Sequence, residues 1–329
     1  LVKSIRHVED RFNNRYHYDW VFLNDQPFSD EFKRVTSALV SGKAKYGTIP
    51  KDHWSIPSWI DTEKFDEKRL AMGKLDIPYG SSVPYRHMCR FQSGFIWRHP
   101  LLEEYEWFWR VDTDITLFCD IQYDIFKFLK VNNKKYGFIL SVSEYERTIP
   151  TLWETTKKFI KKNPKFLHKN NLMKFISNDD GDTYNMCHFW TNFEIGSLDF
   201  FRSDAYREYF DYLDNSSTKD GEMRQCTPSL PLCSWTSQKS ISLTVLDSII
   251  QISPLVLSNR RLDYKTSVSA NLARTSPGLL TTSVLESTFQ QEITSFHQEF
   301  KNQTTNSACS VKTGAKTSTC IYLYTHNSM

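Results

Sequence analysis

Apolar and polar residues follow helix spacing and strand spacing in turn between positions 1 and 220. Apolar positions three or four apart predict amphipathic helices, and short apolar or β-branched runs predict buried strands. Helices are predicted over residues 3–14, 27–39, 66–76, 86–98, 123–131, 151–176 (interrupted at Asn171) and 205–213, and strands over 18–23, 105–115, 136–142 and, with a turn, 187–201. This alternation predicts an α/β fold with a mostly parallel sheet flanked by helices.

The composition changes near Gly221. Nearly all of the Trp, Tyr and Phe residues lie in 1–220, whereas 221–329 is rich in Ser and Thr and poor in aromatic residues. We therefore predict a folded region over 1–220 and a poorly structured Ser/Thr-rich tail over 221–329.

Charge and hydropathy give no indication of nucleic-acid binding or of a membrane-spanning segment. A net charge of +3 does not indicate a nucleic-acid-binding surface. No apolar run approaches the roughly 18 residues of a membrane span.

The seven cysteines show no C-x-x-C spacing, so they predict neither a zinc site nor a redox motif. The chain starts at Leu1, as a fragment trimmed of an upstream anchor or an incomplete gene product would.

Two carboxylates, Asp112 and Asp114, end the aromatic and β-branched run of the predicted strand 105–115. The carboxyl ends of strands are where open α/β sheets bind ligands. Carboxylate oxygens suit Mg²⁺ or Mn²⁺, which bind diphosphates. An isolated D-x-D is more often a loop or capping motif, but here it follows a buried strand. The pattern therefore indicates a metal-dependent sugar-nucleotide transferase.

A third acid, Glu194, lies in the apolar segment 189–195. Burial beside aromatic rings raises the pKa of a carboxyl group unless a cation or hydrogen-bond donors compensate. Such a group can be the nucleophile or base of a glycosyl transfer. It can equally be a structural acid paired with an arginine of the core.

Arg86 and Arg90 are four residues apart and share one face of the predicted helix 86–98. They could neutralise a diphosphate leaving group, or they could form an ordinary solvated helix face. His87 and His188 could be ligands, although single histidines are more often structural or exposed.

Asn24 and Asp25 follow the predicted strand 18–23. Their side chains could hydrogen-bond a nucleotide base or ribose. A turn or helix cap before Pro27 is an equally natural role for them.

Ordered, aromatic-rich blocks between residues 18 and 214 resemble the fungal Golgi α-1,2-mannosyltransferases of glycosyltransferase family fifteen. The blocks are YDWVFLNDQPF (18–28), YGTIP (46–50), SVPYRHMCRFQSGF (82–95), WRVDTDI (109–115), KYGF (135–138), TIPTLW (148–153), CHFWTNFEIGSL (187–198) and AYREYFDYLD (205–214). The resemblance therefore covers the larger part of the chain.

The resemblance implies a GT-A-like fold and a retaining α-1,2-mannosyltransferase that uses GDP-mannose and Mn²⁺ on N- or O-linked mannose chains. It implies a Golgi membrane protein with its catalytic region in the lumen and an N-terminal anchor that this chain lacks. It assigns Glu194 as the nucleophile and Tyr85 to the reaction centre. Asp112 takes the place of the first acid in the family's E-P-D motif, with Asp114 as the second acid. We predict that the donor nucleotide is bound by Asn24, Asp25, Arg86, Arg90 and Arg110.

The resemblance ends after residue 214, and we interpret the tail as the product of a frameshift or wrong splice junction at or just before Gly221. Back-translation of 221–236 in the shifted frame permits D-A-P-V-H-S-I-A-A, which resembles the family. The hypothesis predicts a sheet without its last elements, a lost metal-binding histidine and impaired activity. The alternatives are a non-catalytic remnant that binds sugar nucleotides or carbohydrates, and an interaction domain without such a site.

Overall fold

The computed structural model describes residues 1–216 apart from 76, 78, 114, 118, 119, 140, 170, 190 and 192. It also gives the backbone of 249–251 and 319–324. These residues belong to one unit, 1–258 with 317–329, and a second unit, 259–316, lies outside the described residues. The predictions for most of the tail, and for Asp114, therefore concern residues that are not described.

The described segments form nine α-helices and nine strands. The helices are α1 (Val2–Arg11), α2 (Asp30–Ser37), α3 (Thr62–Lys74), α4 (Val83–Gly94), α5 (Ile125–Val131), α6 (Leu152–Lys162), α7 (Met173–Ile176), α8 (Leu198–Phe201) and α9 (Asp204–Ser216). The strands are β1 (Asp19–Asn24), β2 (Ala44–Thr48), β3 (Trp107–Val111), β4 (Tyr136–Phe138), β5 (Ser141–Ser143), β6 (Cys187–Phe189), β7 (Phe193–Ser197), β8 (Ile249–Gln251) and β9 (Thr319–Tyr324). Within this part of the chain, no helix has the length and apolar content needed to cross a bilayer.

Seven of the strands form one sheet in the order β2-β1-β9-β3-β7-β4-β8. Strand β7 runs antiparallel to both of its neighbours, and the other four pairings are parallel. Strands β5 and β6 form a separate antiparallel pair. The predicted α/β fold with a mostly parallel sheet is therefore confirmed.

Alternating side chains along the strands separate two apolar clusters. In β1, Trp20 and Phe22 belong to a cluster with α1 and α5, whereas Val21 and Leu23 belong to a cluster with α4, α6 and α9. Successive strand residues point to opposite faces of a sheet. The helices therefore cover both faces of the sheet.

Local chemistry explains where the predicted elements differ from the observed ones. The predicted helix 151–176 ends at Lys162 because Pro164 lacks the N–H that would continue it. The predicted strand 136–142 is divided between the main sheet and the β5–β6 pair. The sequence pattern does not predict strand β2, because its residues are only partly buried at a sheet edge and show no apolar run.

Strand β9 comes from the tail yet lies between β1 and β3. Its backbone pairs in parallel with both, with Ile321 opposite Trp20 and Trp109. The frameshift hypothesis predicts a sheet without its last elements, whereas the structure fills this position with Thr319–Tyr324. A run rich in aromatic and β-branched residues favours strand pairing, and two facing strands leave backbone groups that require partners.

Helix α4 packs against α9 through Gly94. A Cβ atom at this position would overlap Cζ of Phe210, which is buried in α9. Arg90 of α4 reinforces the contact, since its Nε and Nη2 each donate to Asp214 at 2.8 Å. The absence of a side chain at Gly94 thus allows the close approach that fixes α4, which carries several site residues.

We expect Gly94→Ala to lower the free energy of unfolding by about 2 kcal/mol, because the added methyl group overlaps Phe210. Urea denaturation measures the change. The same substitution in a Phe210→Leu background should cost less, since the smaller side chain leaves room. An equal cost in both backgrounds would show that this contact does not set the requirement for glycine.

Candidate active site

The candidate active site is built on the antiparallel pair of β3 and β7. In this pair Arg110 lies directly opposite Glu194, and Trp109 lies opposite Ile195. Trp109 and Ile195 belong to the cluster beneath α1 and α5. Alternation therefore places Arg110 and Glu194 on the other face, toward α4. The predicted burial of Glu194 is observed, and Arg110 is its cross-strand neighbour and interacts with it electrostatically.

Glu194 is almost completely buried, with 1% of its surface exposed. The Tyr136 hydroxyl donates a hydrogen bond of 2.8 Å to its Oε2. Burial raises the pKa of Glu194 to about 7, opposed by Arg110 and Tyr136 and assisted by the negative charge of Asp112. The carboxyl group therefore changes its charge near neutral pH, a property typical of catalytic acids, bases and nucleophiles.

Asp112 follows the last residue of β3 and is bound to Arg110. Arg110 Nε donates to Asp112 Oδ1 at 3.0 Å, and Arg110 Nη1 donates to the Thr191 hydroxyl at 3.3 Å. The Asp112 side chain remains 25% exposed. Among the described residues, no group of three His, Cys, Asp or Glu side chains could hold a metal ion. The described chain therefore supplies one carboxylate here, and Asp114 lies outside it.

Helix α4 provides the opposite side of the site. Ser82 caps the helix by accepting a hydrogen bond from the Tyr85 backbone N–H at 3.3 Å, which fixes the first turn. The pKa of Tyr85 is raised by Cys89, by burial and by Glu144, and is lowered by Arg110. Tyr85 is therefore close enough to Arg110 to interact electrostatically with it. The structure thus brings Tyr85, Arg110, Asp112 and Glu194 together.

A second group of predicted residues lies at the end of β1. Asn24 is buried, and its amide donates to the Gln26 carbonyl at 3.0 Å. Its Oδ1 atom is buried without a hydrogen-bond partner among the described residues. Burial and Arg90 lower the pKa of His87, whereas Asp25 acts to raise it. The end of β1 therefore carries an unsatisfied acceptor on Asn24, and Asp25 interacts electrostatically with His87. Nucleotide binding by Asn24 and Asp25 stays a prediction.

The structure gives Arg86 and Arg90 protein partners. Besides Asp214, Arg90 Nη1 donates to the Asp52 carbonyl at 3.1 Å. Arg86 Nη2 donates to the Gly80 carbonyl at 2.6 Å. Both side chains are buried, so they do not form a solvated helix face. These contacts hold α4 to the residues around it, and phosphate binding by either arginine stays a prediction.

Sequence reasoning missed several residues that the fold brings to this site: Tyr136, Glu144, His188 as a partner of Glu144, and Thr191. Tyr136 is 58 residues away from Glu194 along the chain. No local pattern indicates such a contact. The one available signal is the polar hydroxyl of a tyrosine in a predicted buried strand, which requires a partner.

Known proteins resemble this chain in sequence and in fold. The profile of the family described as glycolipid 2-alpha-mannosyltransferase matches residues 1–219. An alpha-1,2 mannosyltransferase of Saccharomyces cerevisiae is 62% identical over 214 residues, which are 65% of this chain and 54% of that protein. Glycolipid 2-alpha-mannosyltransferase 2 of Candida albicans is 62% identical over 216 residues, 66% of this chain and 47% of that protein. The chain thus spans about half the length of these curated relatives.

Two solved structures have a similar fold. Core-mannan synthase A of Aspergillus fumigatus, in an Mn/GDP form, superposes with a TM-score of 0.72 and 33% identity over 79% of this chain and 70% of that one. A mannosyltransferase of Saccharomyces cerevisiae in complex with GDP superposes with a TM-score of 0.68 and 36% identity, over 71% of this chain and 63% of that one. With more than half of its residues matched by the family profile, the chain belongs to the glycolipid 2-alpha-mannosyltransferase family.

Proposed function

We propose that this chain is the catalytic region of a retaining α-1,2-mannosyltransferase that transfers mannose from GDP-mannose to mannose-containing N- or O-glycans. The observation that carries the proposal is the buried Glu194 opposite Arg110, which itself binds Asp112. This arrangement combines an ionisable group near neutral pH with a cation and a carboxylate at a strand end. The relatives and their complexes with GDP support the choice of donor.

A divalent metal fits the chemistry of Asp112. A metal that binds a nucleoside diphosphate needs only one or two protein carboxylates, because phosphate oxygens and water complete its shell. The neighbour in an Mn/GDP form supports Mn²⁺ as the metal. In this chain Asp112 would hold it, with Asp114 as the second predicted ligand. The bound ion would act as a Lewis acid toward the diphosphate.

Arg110 has two roles in the proposed reaction. Its guanidinium group holds Asp112 in place and lies beside Glu194. Its positive charge favours the ionised form of Glu194. It also opposes the negative charge that grows on the diphosphate as the bond to mannose breaks.

Glu194 is the group proposed to act at the anomeric carbon. In its ionised form it attacks that carbon, or stabilises the oxocarbenium-like centre, from the face opposite the diphosphate. With attack, the bond to GDP breaks as the bond to Glu194 forms. The acceptor hydroxyl then displaces Glu194 from the donor side and gives its proton to the departed diphosphate, so that two inversions give retention. Tyr136 holds Oε2 by its hydrogen bond and thereby orients the carboxylate. A front-face route without a covalent intermediate uses the same stabilisation.

A second candidate is a non-catalytic protein that retains sugar-nucleotide binding. It is favoured by the position where the family profile stops, residue 219, just before the composition changes near Gly221. If the segment after residue 219 lacks a metal ligand, metal binding is weakened while the β3–β7 pair stays intact.

By its family we further propose a Golgi location on the lumenal side, with membrane attachment through a segment outside this chain.

GDP with Mn²⁺ should raise the melting temperature of the protein, because a ligand that binds only the folded state stabilises it. Asp112→Asn should remove this shift, whereas Asp112→Glu, which keeps the charge, should retain it. Asp10→Asn on the exposed side of α1 is the matched control. No shift in the unaltered protein would contradict both the transferase and the binding candidate.

Transfer of mannose to methyl α-mannoside should fall by at least about 100-fold in Glu194→Ala, because the group at the anomeric carbon is removed. In the unaltered protein, the rate should increase with pH through about 7 as Glu194 ionises. Release of GDP from GDP-mannose gives the measurement. GDP binding without any turnover would favour the non-catalytic candidate.

Stability should also depend on the charge of Glu194. Its pKa is about 7 in the folded state against an ordinary value of 4.5, so the folded state keeps the proton that the unfolded state releases between these values. The free energy of unfolding should therefore decrease from pH 4.5 to 7, by about 3 kcal/mol relative to Glu194→Gln. Urea denaturation without metal measures it. A constant difference across this range would show that Glu194 has an ordinary pKa.

A further inference from the structure

An N-glycosylation sequon begins in the last turn of α9. Asn215, Ser216 and Ser217 follow the pattern Asn-x-Ser, in which the middle residue is not Pro. Asn215 is exposed, two residues from the end of its helix as described, and Ser217 lies outside the described residues. A sequon marks an acceptor for an N-linked glycan, but the pattern is short and also occurs by chance. The surroundings of Asn215 supply a second observation.

An exposed tryptophan borders the sequon. Trp59, which precedes α3, is 43% exposed, whereas tryptophan is on average highly buried. Its Nε1 donates to the Asp214 carbonyl at 3.3 Å. That carbonyl belongs to the peptide group that joins Asp214 to Asn215. The Trp59 ring therefore presents apolar surface to solvent directly beside the residue that a glycan would modify.

The contacts of Arg90 hold this ring in a fixed orientation. The guanidinium group of Arg90 lies over the Trp59 ring, with its Cζ atom 5.9 Å from the ring centroid. Arg90 Nε and Nη2 also donate to the Asp214 carboxylate at 2.8 Å each. An immobile aromatic ring is a suitable stacking surface for a pyranose, because its negative face attracts the weakly positive C–H groups of the sugar.

The hydrogen bond of the Asn215 side chain is compatible with modification. Its Nδ2 donates to the Asp211 carbonyl at 2.8 Å. An amide nitrogen that carries a sugar keeps one N–H and can still donate. The last turn of α9 can therefore retain this contact after a glycan has been attached.

We propose that Asn215 is a site of N-glycosylation and that the first sugar of its glycan packs on Trp59. In the transfer, Asn215 Nδ2 forms a bond to the anomeric carbon of the N-acetylglucosamine at the reducing end of a lipid-linked oligosaccharide. The bond from that carbon to the lipid diphosphate breaks, the diphosphate leaves, and one amide proton is released to solvent. The inference rests on the lumenal location given with the proposed function, because N-glycans are attached in the secretory pathway.

The full chain, secreted behind a cleavable signal peptide, tests the site itself. The signal brings the chain into the secretory pathway whatever its natural location. Peptide mass spectrometry should find a glycan on Asn215 in the unaltered protein and none in Ser217→Ala, which destroys the sequon. Ser216→Ala removes the neighbouring hydroxyl and keeps the sequon, so this matched control should be modified normally. An unmodified Asn215 in the secreted protein overturns the proposal.

Endoglycosidase H tests the packing, because it trims an oligomannose N-glycan to its first sugar. After this treatment, the unaltered protein should melt about 3 °C higher than Ser217→Ala, as for one added stacking contact in a protein of this size. In a Trp59→Ala background the same comparison should give no difference. An equal difference in both backgrounds overturns the packing on Trp59.

Mannose transfer separates this proposal from the proposed function. Ser217→Ala should transfer mannose to methyl α-mannoside at the rate of the unaltered protein, since Asn215 is outside the candidate active site. If Asn215 carries a glycan and neither protein binds GDP or transfers mannose, the proposed function fails and the glycosylation site stands. If both proteins transfer mannose and Asn215 is unmodified, the proposed function stands and the site is refuted.

Discussion

The burial of Glu194 within a continuous sheet is the constraint on which the rest of the site depends. A carboxyl group with 1% exposure is stable only when nearby groups compensate for its lost hydration. Arg110 does so across the β3–β7 pair and Tyr136 does so by a hydrogen bond. Arg110 also binds Asp112, so the arginine that the buried Glu194 requires sets the position of Asp112 at the end of β3. The same contacts of Arg110 and Tyr136 therefore stabilise the buried Glu194 and position the groups of the candidate active site.

Helices α4 and α9 pack on the face of the sheet that carries Arg110 and Glu194, and they hold the contacts of these residues in place. Arg90 and Asp214 connect α4 to α9, and the glycine of α4 allows the two to approach closely. Helix α4 in turn carries Tyr85 toward Arg110. Arg86 and Arg90 are predicted from the sequence to bind phosphate. In the structure they bind protein groups, and these contacts hold α4 in its position beside the site.

Local sequence patterns indicate the elements and the two central acids. Asp112 ends a buried run, and Glu194 is surrounded by apolar residues, so both positions follow from patterning alone. The family, too, is identified from the sequence and is confirmed. The pairing of Tyr136 with Glu194 and the approach of Glu144 to Tyr85 depend on contacts between distant segments. Strand β2, partly polar and at an edge, carries too weak a pattern to be predicted.

The place of β9 has a consequence for the order in which the protein folds. Strands β1 and β3 are not neighbours in the sheet, because each pairs with Thr319–Tyr324, which follows both of them at a long distance along the chain. Closing so long a loop costs chain entropy before any contact repays it, so this pairing forms late. During synthesis on the ribosome, the facing edges of β1 and β3 stay unpaired until β9 has emerged. In that interval the nascent chain is open to association with other strands, and a chaperone that covers exposed strand edges would assist its maturation.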